Sequence, residues 1–472
     1  MIFMIYIAIL FNCNKPISQR RTAWLNFLKK IVKQAWNLLS KTCANLLDFL
    51  KNFISSQEFL EQSRQKDTDF SRQRKLPFVL LVLFFCSFLK SAYQAELNKF
   101  FKILSDSAIA KKVVSKAALC KRRKKLKYQA FTAINEQAVT YFNQNFAPKT
   151  WHGFFLKAVD GSTVKVPDYP EITEHFGVMN PRQGESVPMA RISQMFDPLN
   201  RITTHALIGP KSTGEREMAA SHFEHITPLD LILLDRGYPA FWLFKLILFH
   251  GAHFCARISA TKWKIVRKFI RSGKPEQLVT IEVPLTSISA CTKRNLDTRP
   301  IRLRLIRIEL DSGETEVLIT SLTDTKQYPR ELFADLYHER WAVEESYKVM
   351  KCRIEIENFT GQSELSVYQD FHSRVLSNNI TAMMAYAAQD SVEQTTGCRQ
   401  FPYQINFTHA LSTMRDTIVL FFRKTGDMLQ SLISDLLDTL ASTVEPIRPG
   451  RSYPRNHKRS QRKFSQTYKP TL

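Results

Sequence analysis

The eight cysteines include no C-x-x-C pair and no zinc-ribbon spacing. Scattered cysteines of this kind fit a reducing compartment and argue against a disulfide framework. No Gly-rich phosphate loop is present, so nothing points to ATP use. No internal repeat is visible. No apolar run approaches the roughly 20 residues that a helical membrane span needs. The opening "MIFMIYIAILF" is short and lacks the basic flank of a signal peptide; an extension upstream of the fold is equally compatible with it. "LPFVLLVLFFCSFL" (76–89) is longer but contains Pro77, and it reads as a buried helix. No membrane partner is expected. Acids are the last shortage: 43 Asp and Glu stand against 67 Lys and Arg, a formal net charge of +24. An excess that size implies a polyanionic partner and says nothing about fold.

What is present is ample core material. The 472 residues are 44% hydrophobic, enough for two to four folding units. Residues 1–65 form a helix-like extension, with Trp24, Leu25, Phe27, Leu28, Ile31 and Val32 at amphipathic spacing. Residues 55–75 are polar, a linker or an exposed helix. Residues 66–148 read as a helical region. Within it, 105–131 opens on the cap-type residues Ser105, Asp106 and Ser107, followed by two short helical patterns. Nine Lys or Arg and no acid lie between 111 and 127. A helix-turn-helix with Lys121, Arg122 and Arg123 on DNA phosphates fits this run, and so does a solvated charged face.

From about residue 149 to 445 the pattern is α/β. "GFFLKAVDGSTVKV" is strand-like, and "RISQMFDPLNRITTHALIG" reads as a hairpin turning at 197–200. "LDLILLDRGYPAFWLFKLILFH" gives a continuous apolar strand, a turn and a helix, as for a strand covered on both faces. A β-rich stretch spans about 262–323. There Arg302 and Arg304 share a strand face, residues 311–313 turn, and the alternation slips at Leu305-Ile306 as for a bulge. The tail 446–472 is basic, with eight Lys or Arg and no acid from 447 onward, and reads as an arm disordered or ordered by nucleic acid.

"YHERWAVEESYKVMK" (337–351) places polar groups at the edge of a core face. On a regular helix Tyr337, Arg340, Glu344 and Lys351 fall within roughly 60° of one another, beside an apolar stripe of Leu336, Val343, Tyr347 and Met350. Glu345 points elsewhere. A carboxylate at a core margin can reach a metal, with Arg and Lys holding phosphate oxygens beside it. Arg340 and Glu344 are equally an ordinary i,i+4 ion pair. Asp160 and Asp235 each end an apolar strand, where α/β folds bind ligands. An Asp-Gly turn and a helix cap would explain them as well. Together, the three carboxylates match what two-metal phosphoryl transfer needs, oxygen ligands for hard cations about 3.5–4 Å apart.

On these residues the chain resembles the DDE transposases of the bacterial IS-four class. That family's signature of Tyr, two residues, Arg, three residues, Glu, six residues, Lys is met in full by Tyr337, Arg340, Glu344 and Lys351. "AVDGSTV", "LDRGYPAFWLF", "LITSLTD" and the Arg340-Trp341 pair look like the family too. The likeness runs over about 70–455. It implies an α/β, ribonuclease-H-like catalytic core with a β-rich insertion, preceded by an all-helical DNA-binding region. It implies Asp160, Asp235 and Glu344 as catalytic ligands of two Mg²⁺ (or Mn²⁺) ions. Tyr337, Arg340 and Lys351 would grip DNA phosphates. A hydrolytic nick would free a 3′-hydroxyl at the element end, which then attacks a second phosphodiester. Partners would be terminal inverted repeats, target DNA and a second copy of the chain, in a bacterial cytoplasm at the nucleoid. A non-joining nuclease or an inactive end-binding relic are the other readings. Trp263, near the insertion where some relatives stack a flipped base, reads first as a core or edge residue. His222, His225, His250 and His253, with Cys255 close by, lack a second cysteine pair to complete a zinc site, and the four read as core or surface histidines. Glu215, Arg216 and Glu217 read as a solvated helix face.

Overall fold

The computed structural model describes residues 17–72, 74–180, 185–310 and 313–448, with Phe464 and Lys469. The opening apolar run, the turn at 311–312 and most of the basic tail lie outside the described residues.

Helices α1 (Ile17–Ser55), α2 (Gln57–Ser63), α3 (Phe78–Cys86), α4 (Tyr93–Ser105), α5 (Lys116–Arg123) and α6 (Gln129–Asn145) precede the first strand. α3 is the expected buried helix, with Leu81, Val82 and Phe84 fully covered. From about residue 40 α1 joins the same core through Leu46, Leu47 and Leu50. Lys51 Nζ also donates to the Lys424 carbonyl at 2.8 Å. The cap residues near 105 close a helix rather than open one. Asp106 takes the left-handed conformation (φ 54°) that ends α4. α5 starts only at Ser115, whose side chain accepts from the Ala118 amide. One short basic helix therefore stands where two were expected.

The strands are β1 (Phe155–Lys165), β2 (Val178–Met179), β3 (Val187–Asp197), β4 (Ile202–Pro210), β5 (Asp230–Leu234), β6 (His253–Ile258), β7 (Glu276–Ile281), β8 (Ile301–Glu309) and β9 (Thr315–Thr320). Between them run α7 (Pro170–Phe176), α8 (Glu215–Phe223), α9 (Phe241–Phe249), α10 (Lys264–Arg271) and α11 (Leu285–Lys293). All nine strands form one sheet, ordered β2-β3-β1-β5-β6-β9-β8-β7, with β4 on β3. β1, β5 and β6 are parallel; the other pairings are antiparallel. β5 is buried throughout: Leu231 and Leu233 face one apolar cluster and Ile232 and Leu234 the other.

Residues 262–323 differ from expectation in two ways. Alongside β7–β9 they hold two helices. α10 has a helical period, burying Val266 and Phe269 while its cations face outward. The slip at Leu305-Ile306 is not a bulge. β8 pairs with β9 continuously there, and both residues are buried because both faces are covered. The register shift lies instead between Met195 and Phe196. Arg304 is only 1% exposed, paired with Glu276, while Arg302 is exposed.

After the sheet come α12 (Leu332–His338), a 3-10 turn (Glu339–Trp341), α13 (Ala342–Lys348) and a π-helical turn (Val349–Arg353). Then follow α14 (Glu364–Thr396), β10 (Tyr403–Ile405), α15 (Phe407–Arg423), α16 (Gly426–Ser442) and β11 (Val444–Pro446). α14 opens on a Ser363–Ser366 capping box and is buried on nearly every side over its first 25 or so residues, as a central helix must be. Among the described residues no helix is long and apolar enough to cross a membrane.

Candidate active site

β1 outruns β5. Val159 pairs with Leu234, the last residue of β5, and beyond that point β1 pairs with β3 alone. Asp160 and Asp235 are the next residue on each strand, so they stand side by side at an open lip. Alternation puts both carboxylates on the face with Ala158 and Leu233, the face on which α12 and α13 pack.

The segment 337–351 is not one regular helix. The 3-10 turn overwinds it and the π turn underwinds it, yet its apolar stripe of Leu336, Val343, Tyr347 and Met350 is buried as expected. Its polar groups reach the sheet. The Tyr337 hydroxyl donates to Leu234 O and Asp235 Oδ1, both at 3.4 Å. Arg340 Nη2 donates to Glu344 Oε1 at 2.9 Å. Lys351 Nζ donates to Ser162 Oγ at 2.7 Å, two residues past Asp160. The Tyr347 hydroxyl donates to the Asp160 carbonyl at 2.7 Å. Glu345 is exposed and pairs with Lys348.

Burial drives the electrostatics. It lifts the Asp160 carboxyl to about 6, and Glu344 and Asp235 add to the lift while the Gly161 amide and Arg340 oppose it. Burial pushes Asp235 the same way but loses to the Arg236 amide and the guanidinium groups of Arg257 and Arg340, so Asp235 stays below the usual carboxylate range. Arg257, from β6, donates to Asp235 Oδ1 at 2.8 Å and also pairs with Glu316. Burial pulls Lys351 downward. Asp160 thus feels both other acids, while arginines supply the neutralising charge at Asp235. Among the described residues no three His, Cys, Asp or Glu side chains stand in a coordinating group. The donor type still suits a hard divalent cation: carboxylate oxygens, with buried Asp160 disfavoured as an anion until positive charge arrives.

The basic helix α5 divides. Lys121 is exposed, but Arg122 and Arg123 are buried. Arg123 pairs with Asp370 at 2.7 Å and donates to Gln369 Oε1 and Ser366 O, both at 2.6 Å. Arg122 donates to Leu76 O at 3.1 Å and lies over the Phe70 ring. Neither guanidinium faces outward toward a phosphate in this structure. Trp263 is half-buried beside Phe244. The acidic helix start is more than a solvated face. Glu215 pairs with Arg191, and Arg216 donates to the carbonyls of Gly237 and Pro239, tying down the loop after Asp235. His222 is fully buried and bonds Ser193, which in turn bonds the Asp160 carbonyl. No sequence spacing marks Ser193 or Tyr347; both contacts arise only when β3 and α13 meet β1.

A transposase DDE domain model matches residues 156–380, the span that holds all three acids. The transposase InsG for insertion sequence element IS4 of Escherichia coli K12 is 22% identical over 436 residues, covering 90% of this chain and 95% of that one. The putative transposase InsZ of the same strain is 26% identical over 95 residues, 20% of this chain and 32% of that one. A piggyBac transposase synaptic complex with hairpin DNA aligns over 86% of this chain and 87% of that one, at 9% identity and a TM-score of 0.42, too loose to carry an argument. The chain carries a transposase DDE domain, and both matches support a DDE transposase, a class of metal-dependent enzymes that cut DNA and transfer strands. Within that class its likeness over nine-tenths of its length is to the IS4 type.

Proposed function

We propose that Asp160, Asp235 and Glu344 form the reaction centre, holding two divalent ions, Mg²⁺ or Mn²⁺, at the ends of an insertion element. The observation that carries this reading is the β1/β5 register, which sets Asp160 beside Asp235, together with the Tyr337 and Tyr347 contacts that lay the Glu344 helix over them. The core is read as ribonuclease-H-like. The order β4-β3-β1-β5-β6, with β1, β5 and β6 parallel, supports it, and β9, β8 and β7 are then an insertion that widens the sheet.

When bound, the ions activate an attacking oxygen and stabilise the leaving one. The three carboxylates hold that charge at the lip. Lys351 flanks it and grips phosphate oxygens of the strand to be cut, and Arg340, buried and closed on Glu344 here, joins it once that carboxylate turns to the ions. Tyr337 orients Asp235. Burial of Arg340, Tyr337 and Tyr347 thins the water around the acids, which strengthens each of these interactions. Exposed cations such as Lys121 supply affinity for the terminal repeats and target DNA. Two copies of the chain pair two element ends, and the enzyme works on the bacterial nucleoid.

A strand-transfer assay with element-end DNA and Mg²⁺ or Mn²⁺ tests the reading. Joined product is expected. Nicks without joining mean a nuclease, and binding without nicks means an inactive relic.

A further inference from the structure

Asp160 is gripped through its main chain as well as its carboxylate. Its carbonyl accepts two side-chain hydrogen bonds, one from a helix packed on the sheet and one from the neighbouring strand. From α13 comes the Tyr347 hydroxyl, at 2.7 Å. From β3 comes Ser193 Oγ, at 3.2 Å. Behind Ser193 stands a buried chain: His222 Nε2 lies 2.9 Å from Ser193 Oγ, and His205 Nδ1 lies 2.8 Å from His222 Nδ1.

The direction of that chain follows from its last member. A carbonyl only accepts, so Ser193 spends its proton on Asp160. Ser193 Oγ then accepts from His222 Nε2–H, which leaves the Nδ1 of neutral His222 bare. His205 Nδ1–H donates to it. Each hydrogen has one place to go, so the chain has a single arrangement. Ser193 and His222 are 1% and 0% exposed, so solvent offers no substitute.

The α13 side is equally fixed. Tyr347 is buried, one turn beyond Glu344 on the same helix, and next to Ser346, whose hydroxyl donates to Gln194 Oε1 at 3.0 Å. Gln194 pairs with Asp160 across β1 and β3. The helix that carries the third acid is thus pinned to the main chain of the first acid and to its strand partner.

We propose that Tyr347 and the Ser193–His222–His205 chain are positioning residues, which set the spacing of Asp160 to Glu344 and so tune affinity for the divalent ions. This rests on the assignment of those two acids as ligands. Outer contacts of this kind affect metal affinity by about 10- to 100-fold.

The test uses the full chain and Mn²⁺ alone as the probe. Mn²⁺ affinity is read from free-ion electron paramagnetic resonance and from the rise in Tm without DNA. Tyr347→Phe should raise the half-saturating Mn²⁺ about 10-fold. Its nicking rate should recover at saturating metal, and its affinity for element-end DNA should stay unchanged. Ser193→Ala, which deletes only one grip, should shift half-saturation in the same direction. A half-saturation equal to wild type in both variants overturns the proposal. So does a nicking defect that excess Mn²⁺ does not repair. Glu344→Gln separates this from the underlying assignment. If that variant binds Mn²⁺ like wild type, the ligand set itself is wrong, whatever Tyr347 does.

Discussion

Replacing Asp160 by Asn should stabilise the metal-free protein while destroying its activity. Burial, with Glu344 and Asp235 nearby, lifts this carboxyl from 3.8 to about 6. At about 1.4 kcal/mol per pH unit, ionised Asp160 costs the folded chain on the order of 3 kcal/mol at neutral pH. The sign follows from proton uptake. A carboxyl raised on folding binds more protons folded than unfolded between pH 4 and 6, so stability from this group is complete below the unfolded pKa and is lost as pH rises through about 6. Asn keeps an oxygen for the Gly161 amide, which donates to Asp160 Oδ1 at 2.9 Å, and removes the charge. In EDTA at pH 7.5, Asp160→Asn should therefore gain roughly 1–3 kcal/mol in denaturant unfolding, with the gain shrinking toward pH 4. Divalent ions should stabilise wild type by about 2.7 kcal/mol at 100 times the dissociation constant and the variant far less. A variant less stable than wild type in EDTA at pH 7.5 would refute the reasoning, because Asp160 would then be a satisfied structural acid.

Glu344→Gln keeps an acceptor for Arg340 Nη2 and should abolish nicking with end binding within a few fold in a gel-shift titration; equal loss of binding would count against the ligand role. Arg123→Met leaves Asp370 buried without its partner and should cost about 3–5 kcal/mol in urea unfolding, with DNA affinity per folded molecule unchanged. Lys121→Ala should do the reverse: stability stays level, while end affinity falls and its log–log salt slope flattens by about one. A flat salt dependence of the parent protein would contradict the electrostatic account of binding.

The strands leading to Asp160 and Asp235 were legible because a short continuous apolar run suits a strand covered on both faces, as central β1 and β5 are. The signature helix was legible because spacing survives a 3-10 turn and a π turn that roughly compensate. Orientation was not legible. Nine cations between 111 and 127 give no sign that Arg122 and Arg123 turn inward, since their partners, Leu76 and Asp370, are distant in sequence. α10 was hidden because its stretch sits among β-branched strand patterns, and only Val266 and Phe269 carry its period. Leu305-Ile306 mimicked a bulge because a strand covered on both faces loses alternation without losing register. Ser193 and His222 matter through a main-chain carbonyl, and backbone acceptors leave no mark on the side-chain pattern.

The central claim is that three acids from β1, the end of β5 and α13 hold the reacting ions together. Anomalous diffraction from crystals grown with Mn²⁺ and uncleaved element-end DNA tests it most directly. The account predicts Mn²⁺ peaks coordinated by Asp160, Asp235 and Glu344 beside the scissile phosphate. Peaks held by other residues, or a Glu344 carboxylate still closed on Arg340 and apart from the ions, would contradict it.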